Sequence, residues 1–181
     1  MNKKLRWITE TAIMLALLVT LHALTKGFGQ LVTGSCVNAL LAVSVLVGGL
    51  SCGITVALIS PVLAFLLNIA PQILTVPAIM VGNTVFVLAL YFLAGHDSKQ
   101  LYRQIAAWLV AAIAKFAVLY ALVSGVICSL LADTLMAAGL LKAPMLQALP
   151  ATFSWPQLFT ALIGGGVALL IVPVLRKALH R

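Results

Sequence analysis

From position 27 to position 96, seventy consecutive residues, the chain contains no Asp, Glu, Lys or Arg. A water-facing surface cannot be built from such a stretch. A helical span needs ~20 apolar residues to cross ~30 Å of hydrocarbon, so this segment alone accommodates about three. The remainder has the same character: 64% of the chain is hydrophobic and 8% charged, whereas soluble domains carry roughly 25% charged residues. Lipid must cover most of the outside. The expected fold class is therefore all-α, a polytopic membrane protein forming a single domain over the whole chain.

Six transmembrane helices are expected. The first runs from about Leu5 to Leu24 and ends at Lys26-Gly27-Phe28-Gly29. Glu10 interrupts its apolar run and no small-x-small cleavage site follows, so it reads as an uncleaved span and not as a signal peptide. The second covers about Val32 to Leu50. The third, about Ile54 to Asn68, follows a glycine-rich turn from Gly48 to Gly53. Ala70-Pro71-Gln72 breaks the pattern before the fourth, about Val76 to Leu93, and Gly95-His96-Asp97-Ser98-Lys99 is a polar loop. The fifth, Leu101 to Leu131, is long enough to tilt or project. Ala132 to Ser154 reads as a long structured loop. The sixth, Trp155 to Leu175, opens with Ser154 as N-cap, Pro156 in the first turn and Gln157 completing a capping box, with Phe153 and Leu158 as a hydrophobic staple.

The net charge of +8 sits in short flanks between apolar runs, where it sets topology. It is not interleaved with aromatic residues as a nucleic-acid surface would be. With six spans and both termini cytoplasmic, the inner side holds Lys3, Lys4, Arg6, Lys99, Arg103, Arg176, Lys177 and Arg181, and the outer loops hold only Lys26 and Lys142. Five spans would strand the C-terminal cations outside. The outer connections are longer and richer in Gly, Pro, Gln and aromatic residues, which makes the outer face the place for a ligand.

Lys115 is the most informative residue, because an ionisable group inside a span costs several kcal/mol and marks a site or a buried partner. At ~1.5 Å per residue it lies about 20 Å above Leu101, a level shared by His22, Asn38 and Asn83. Polar groups converging on an apolar wall are what a binding cavity requires. Lys115 then meets an anionic group of a small molecule, or else pairs internally; Glu10 lies too near the cytoplasm to be that partner. Asn38 and Asn83 serve either the ligand or interhelical hydrogen bonds. Trp155 and Phe153 fit either a stacking role or an interfacial belt. The methionines, including Met145, and the three cysteines read as packing or lipid-facing residues. Ala12 and Ala16 make a small-xxx-small face on the first helix, open to a partner or to internal packing.

No nucleotide-binding or hydrolase motif is present, and Glu10, Asp97 and Asp133 are the only acids. No carboxylate pair, proton relay or internal repeat is visible, and the chain is short for a complete alternating-access carrier. An enzyme is not expected, nor a metal site or a resident cofactor. A self-contained small carrier or channel is the alternative class.

Ala12-x-x-x-Ala16, the basic N-terminus and six spans resemble the substrate-binding S component of energy-coupling factor (ECF) transporters. Val47-Gly48-Gly49-Leu50, Ser60-Pro61-Val62-Leu63-Ala64-Phe65 and Phe153-Ser154-Trp155-Pro156-Gln157-Leu158 resemble S components in particular. The resemblance covers nearly the whole chain. It implies capture of a vitamin or similar micronutrient near the outer face of a prokaryotic plasma membrane. It further implies docking on a membrane scaffold through Ala12 and Ala16, with two cytoplasmic ATPase subunits supplying the energy. The ligand set of the riboflavin, thiamine or biotin members is not recognisable. Lys115 and His22 suit an anionic ligand, including haem, for which His22, a methionine or a cysteine would be the axial ligand.

Overall fold

The computed structural model describes residues 2–69, 72–94 and 100–179. Most of the break at Ala70-Pro71-Gln72, the loop from Gly95 to Lys99, and Arg181 lie outside the described residues. The chain folds as α1 (Lys3–Thr25), α2 (Gln30–Gly48), α3 (Leu50–Leu66), α4 (Val76–Ala94), α5 (Leu101–Tyr120), α6 (Ala132–Ala137), α7 (Ala143–Thr152) and α8 (Trp155–Ala178). Single 3₁₀ turns join α1 to α2 and precede α4. Five of the helical segments are long and apolar enough to cross a membrane. The sixth, α3, has 17 residues and rises about 26 Å, so it is the shortest spanning element of the bundle.

The helical path departs from expectation in three places. Beyond Tyr120, α5 continues as a π-helix over Ala121–Leu130, and Ser129 Oγ reaches back five residues to the Ser124 carbonyl at 2.7 Å, the π spacing. The segment expected as a loop contains α6 and α7. At the start of α8, Ser154 occupies the cap position, but its hydroxyl donates to the Ala151 carbonyl at the end of α7 (2.8 Å) and does not cap α8. Phe153 and Leu158 also part company: Phe153 packs in a cluster with α5 and α7, Leu158 in the central core. Tight chaining of α7 to α8 replaces the capping box.

Among lipid tails, helices gain little from burying apolar surface against one another, so close packing and buried hydrogen bonds must hold the bundle. The sequence supplies small residues where helices cross. α2 is the central helix, and α8 lies most closely against it. A methyl group on Gly164 would strike the α2 main chain at Ser35 and Ala39, and one on Gly165 would enter the Trp108 indole of α5. Gly166 differs from its neighbours, since a methyl there would meet Trp108 at an ordinary 3.4 Å. The turn between α2 and α3 uses Gly49 at φ +84°, a conformation that glycine adopts without steric penalty.

Both ends of the described chain lie at one end of the bundle. Arg176 of α8 donates to the Leu46 carbonyl near the foot of α2 (2.8 Å), and Glu10 of α1, paired with Arg6 at 2.9 Å, sits against Gly48 in the α2–α3 turn. Lys26 and Lys142 belong to the opposite end. α1 is attached by a strip that includes Thr11, Leu18 and His22, all buried, while Ala12 and Ala16 are exposed.

Gly164→Ala should lower the thermal stability of the detergent-solubilised protein by about 1–3 kcal/mol, because the obstructing atoms are backbone. Gly166→Ala should leave the unfolding midpoint nearly unchanged. Thermal denaturation followed by circular dichroism compares the two.

Candidate functional site

Between the ends of α1 to α4 opposite the chain termini, beneath α7, lies a cavity of about 630 Å³, within the size range of small-molecule sites. Its floor is an oriented hydrogen-bond network. Lys115 of α5, only 3% exposed, donates from Nζ to Asn38 Oδ1 of α2 at 2.5 Å and to Asn83 Oδ1 of α4 at 2.7 Å. Each amide passes a donor onward. Asn38 Nδ2 donates to Thr160 Oγ1 of α8 (3.2 Å), whose hydroxyl donates to the Gln157 carbonyl (3.0 Å). Asn83 Nδ2 donates to Ser60 Oγ of α3 (3.0 Å), which donates to the Ala57 carbonyl (3.4 Å).

The last step has a local cause. Pro61 follows Ser60 inside α3 and has no N–H to give to the Ala57 carbonyl four residues earlier. The Ser60 hydroxyl satisfies that acceptor instead, which points it along the arm from Asn83. Two arms thus run from a single ammonium through five helices, and each ends on a main-chain carbonyl. The Phe86 ring lies 5.6 Å from Nζ and offers its π-face as a further weak partner.

An ammonium carries three N–H donors, and two are committed here. Lys115 also lines the cavity, so the third donor is available to an occupant. No acidic side chain lines the cavity among the described residues. The buried cation is therefore matched only by neutral amides and a ring face.

His22 of α1 is buried, lines the same cavity, and leaves Nδ1 without a partner. Lys115, Asn38, Asn83 and His22 are thus brought to one wall. Trp155 is not. It is 62% exposed and stacks on Phe116 (centroids 5.7 Å, 24° between planes), which stacks in turn on Tyr120. This trio sits on the outside of α5 and α8, where interfacial aromatic girdles form.

Several wall residues escaped the sequence reading. Ser60 and Thr160 extend the floor network, and Gln30, Asn68 and Gln72 lie at the mouth. Met145, read as packing or lipid-facing, lines the cavity from α7 together with Leu149 and Phe153. Of these, only Gln30 had a forewarning in the sequence, standing eight residues before Asn38 on the same helix. Cys36, Cys52 and Cys128 are free thiols, and the described residues hold no cluster of three or more His, Cys, Asp or Glu suited to a metal ion.

The chain matches the family model described as "ECF transporter, substrate-specific component" over residues 6–176. It matches no curated protein and no solved structure. The matched region takes in all six spanning helices and every wall of the cavity. The chain belongs to the substrate-specific components of ECF transporters, multi-pass membrane subunits that bind a small molecule and work with a scaffold and ATPase partners.

Proposed function

We propose that this subunit captures a small anionic micronutrient from outside a prokaryotic plasma membrane and presents it to an ATP-driven partner module. The observation that carries the reading is Lys115: a buried cation at the floor of an open cavity, with one donor uncommitted and no acid lining that cavity among the described residues. Buried charges are retained in proteins when something pairs with them. A carboxylate or phosphate on the ligand would supply the missing counter-charge, and in a wall of low dielectric that pairing is stronger than in water.

The orientation rests on the cations. Lys4, Arg6, Arg103, Arg176 and Lys177 collect at the end opposite the cavity, which the positive-inside rule assigns to the cytoplasm. The cavity then faces outward, and both termini are cytoplasmic. Ala12 and Ala16 lie in the inner half of α1 and are exposed, which favours a scaffold helix as their partner over packing within this chain. ATP hydrolysis belongs to two cytoplasmic partner subunits in this scheme.

Haem is the second reading for the cargo, because His22 and Met145 both line the cavity and either would serve as an axial ligand. Native mass spectrometry of the purified subunit identifies a retained ligand directly. An anionic molecule supports the main reading, an absorbance band in the violet-blue establishes haem, and a retained cation overturns both.

Lys115→Met should weaken ligand binding roughly tenfold to a hundredfold, the worth of a charge-assisted hydrogen bond of ~1.5–3 kcal/mol. Calorimetric titration checks it, with the melting temperature of the empty protein measured alongside. Ala12→Trp and Ala16→Trp should each abolish uptake by the assembled transporter while leaving ligand affinity unchanged. Loss of affinity in either would place those alanines in the internal packing.

A further inference from the structure

The cavity wall is built in levels, and the levels specify the ligand more narrowly than its charge. α2 and α4 descend from the mouth, whereas α3 rises toward it. The floor is polar on all three: Asn38, Ser60 and Asn83. Four residues nearer the mouth on the same helices stand Gly34, Ala64 and Ile79, none with a hydrogen-bonding side chain. Nearer the mouth still come Gln30, four residues further on α2, Asn68, two residues past the end of α3, and Gln72, just before the turn that leads into α4. All of these residues line the cavity. Four helical residues rise about 6 Å, so the mouth lies on the order of 12 Å above the floor.

Two atoms in this wall lack the partners that buried polar groups ordinarily have. Among the described residues, His22 Nδ1 and Gln72 Oε1 are both enclosed and both without a hydrogen bond. Such atoms are uncommon in folded proteins, and each costs ~1–3 kcal/mol while it stays unpaired. Their belonging to the same cavity points to an occupant. The amide oxygen of Gln72 only accepts, so whatever satisfies it must donate. The ammonium of Lys115 only donates, so whatever meets it must accept. The two ends of the cavity ask for opposite groups.

We infer that the cavity is shaped for an elongated acid, with its anionic group at the Lys115 floor, a hydrogen-bond donor at Gln72 in the mouth, on the order of 12 Å above it, and an uncharged segment between them. This rests on the reading of Lys115 as an anion site and adds the second end. The middle level, walled by Gly34, Ala64 and Ile79, accommodates methylene or ring carbons. His22 Nδ1 is a further polar atom of the cavity wall, able to take an additional donor or acceptor from the ligand.

Linear N-acetyl-ω-amino acids of increasing length test this directly, since they hold one carboxylate and one N–H at graded separation. Their binding to the purified subunit in lipid nanodiscs is followed by ligand-observed NMR. Affinity should peak where the carboxylate-to-nitrogen spacing matches the floor-to-mouth height, on the order of 12 Å. At that length, methylating the amide nitrogen or esterifying the acid should each weaken binding roughly tenfold. Gln72→Met should erase the discrimination against the N-methyl amide and keep that against the ester, and Lys115→Met should do the reverse. Melting temperatures of the empty variants report whether the fold is intact. Affinity that ignores length, or a Gln72→Met protein that still rejects the N-methyl amide, overturns the two-ended ligand and leaves the anion site standing. Acids that bind without dependence on Lys115, or fail to bind, overturn the anion site and this inference with it.

Discussion

A single ammonium organises this bundle. Placed in hydrocarbon without partners, Lys115 would cost far more than the helix carrying it could offset. Its two bonds to Asn38 and Asn83 therefore constrain where α2 and α4 can sit relative to α5. The onward bonds to Thr160 and Ser60 extend that constraint to α8 and α3. Apolar side chains cannot do this in lipid, because a leucine is as well solvated by an acyl chain as by another leucine. Directional polar bonds at one depth, with glycine contacts between α2 and α8 directly beside them, specify a unique arrangement of five helices. The same network leaves one donor directed at an open cavity, so the device that fixes the fold also prepares the site.

How much of this was legible depends on how unusual each residue is in its setting. Lys115, Asn38, Asn83 and His22 stand out in apolar runs, and the constant rise of a helix assigns them one height. Ser60 and Thr160 are silent by the same logic, since a hydroxyl in a spanning helix ordinarily bonds its own main chain, as Thr84 does to the Met80 carbonyl. Only their second bonds, to amides from other helices, reveal a larger part. Gln30, Asn68 and Gln72 are hidden for another reason: the ends of spans are polar whether or not a ligand lies there. Trp155 misleads because a stacking residue and an interfacial anchor have identical sequence signatures. α6 and α7 were read as a loop because each is too short to show a helical period and α7 holds two prolines.

The bundle is divided by level as well as by helix. Beneath the Lys115 network lies a continuous core that includes Leu41, Val45, Phe86 and Leu90. Above it, a smaller cluster of Leu119, Val123, Leu149 and Phe153 occupies only the side toward α5 and α7, and the cavity takes the side toward α1, α2 and α3. The π-helical stretch of α5 lies within that upper cluster, contributing Val123 and Ile127. Wider winding changes the direction in which successive side chains project, and here it accompanies a helix that must serve the floor network with Lys115 and then pack against α7 above.

α1 stands apart from this scaffold, and that is its significance. It has no part in the Lys115 network; it is attached through Thr11, Met14, Leu15, Leu18 and His22, through Glu10 beside Gly48, and through two bonds at its cavity end, Lys26 Nζ to the Leu67 carbonyl and Thr33 Oγ1 to the Thr25 carbonyl. Yet it carries both His22 on the cavity wall and the exposed Ala12–Ala16 face, six residues or about 9 Å below. A rigid helix transmits displacement along its length with little loss. α1 is thus the span that lines the cavity with His22 on one side and exposes the small residues Ala12 and Ala16 on another. A shift of α1 on filling of the cavity would carry that exposed face with it.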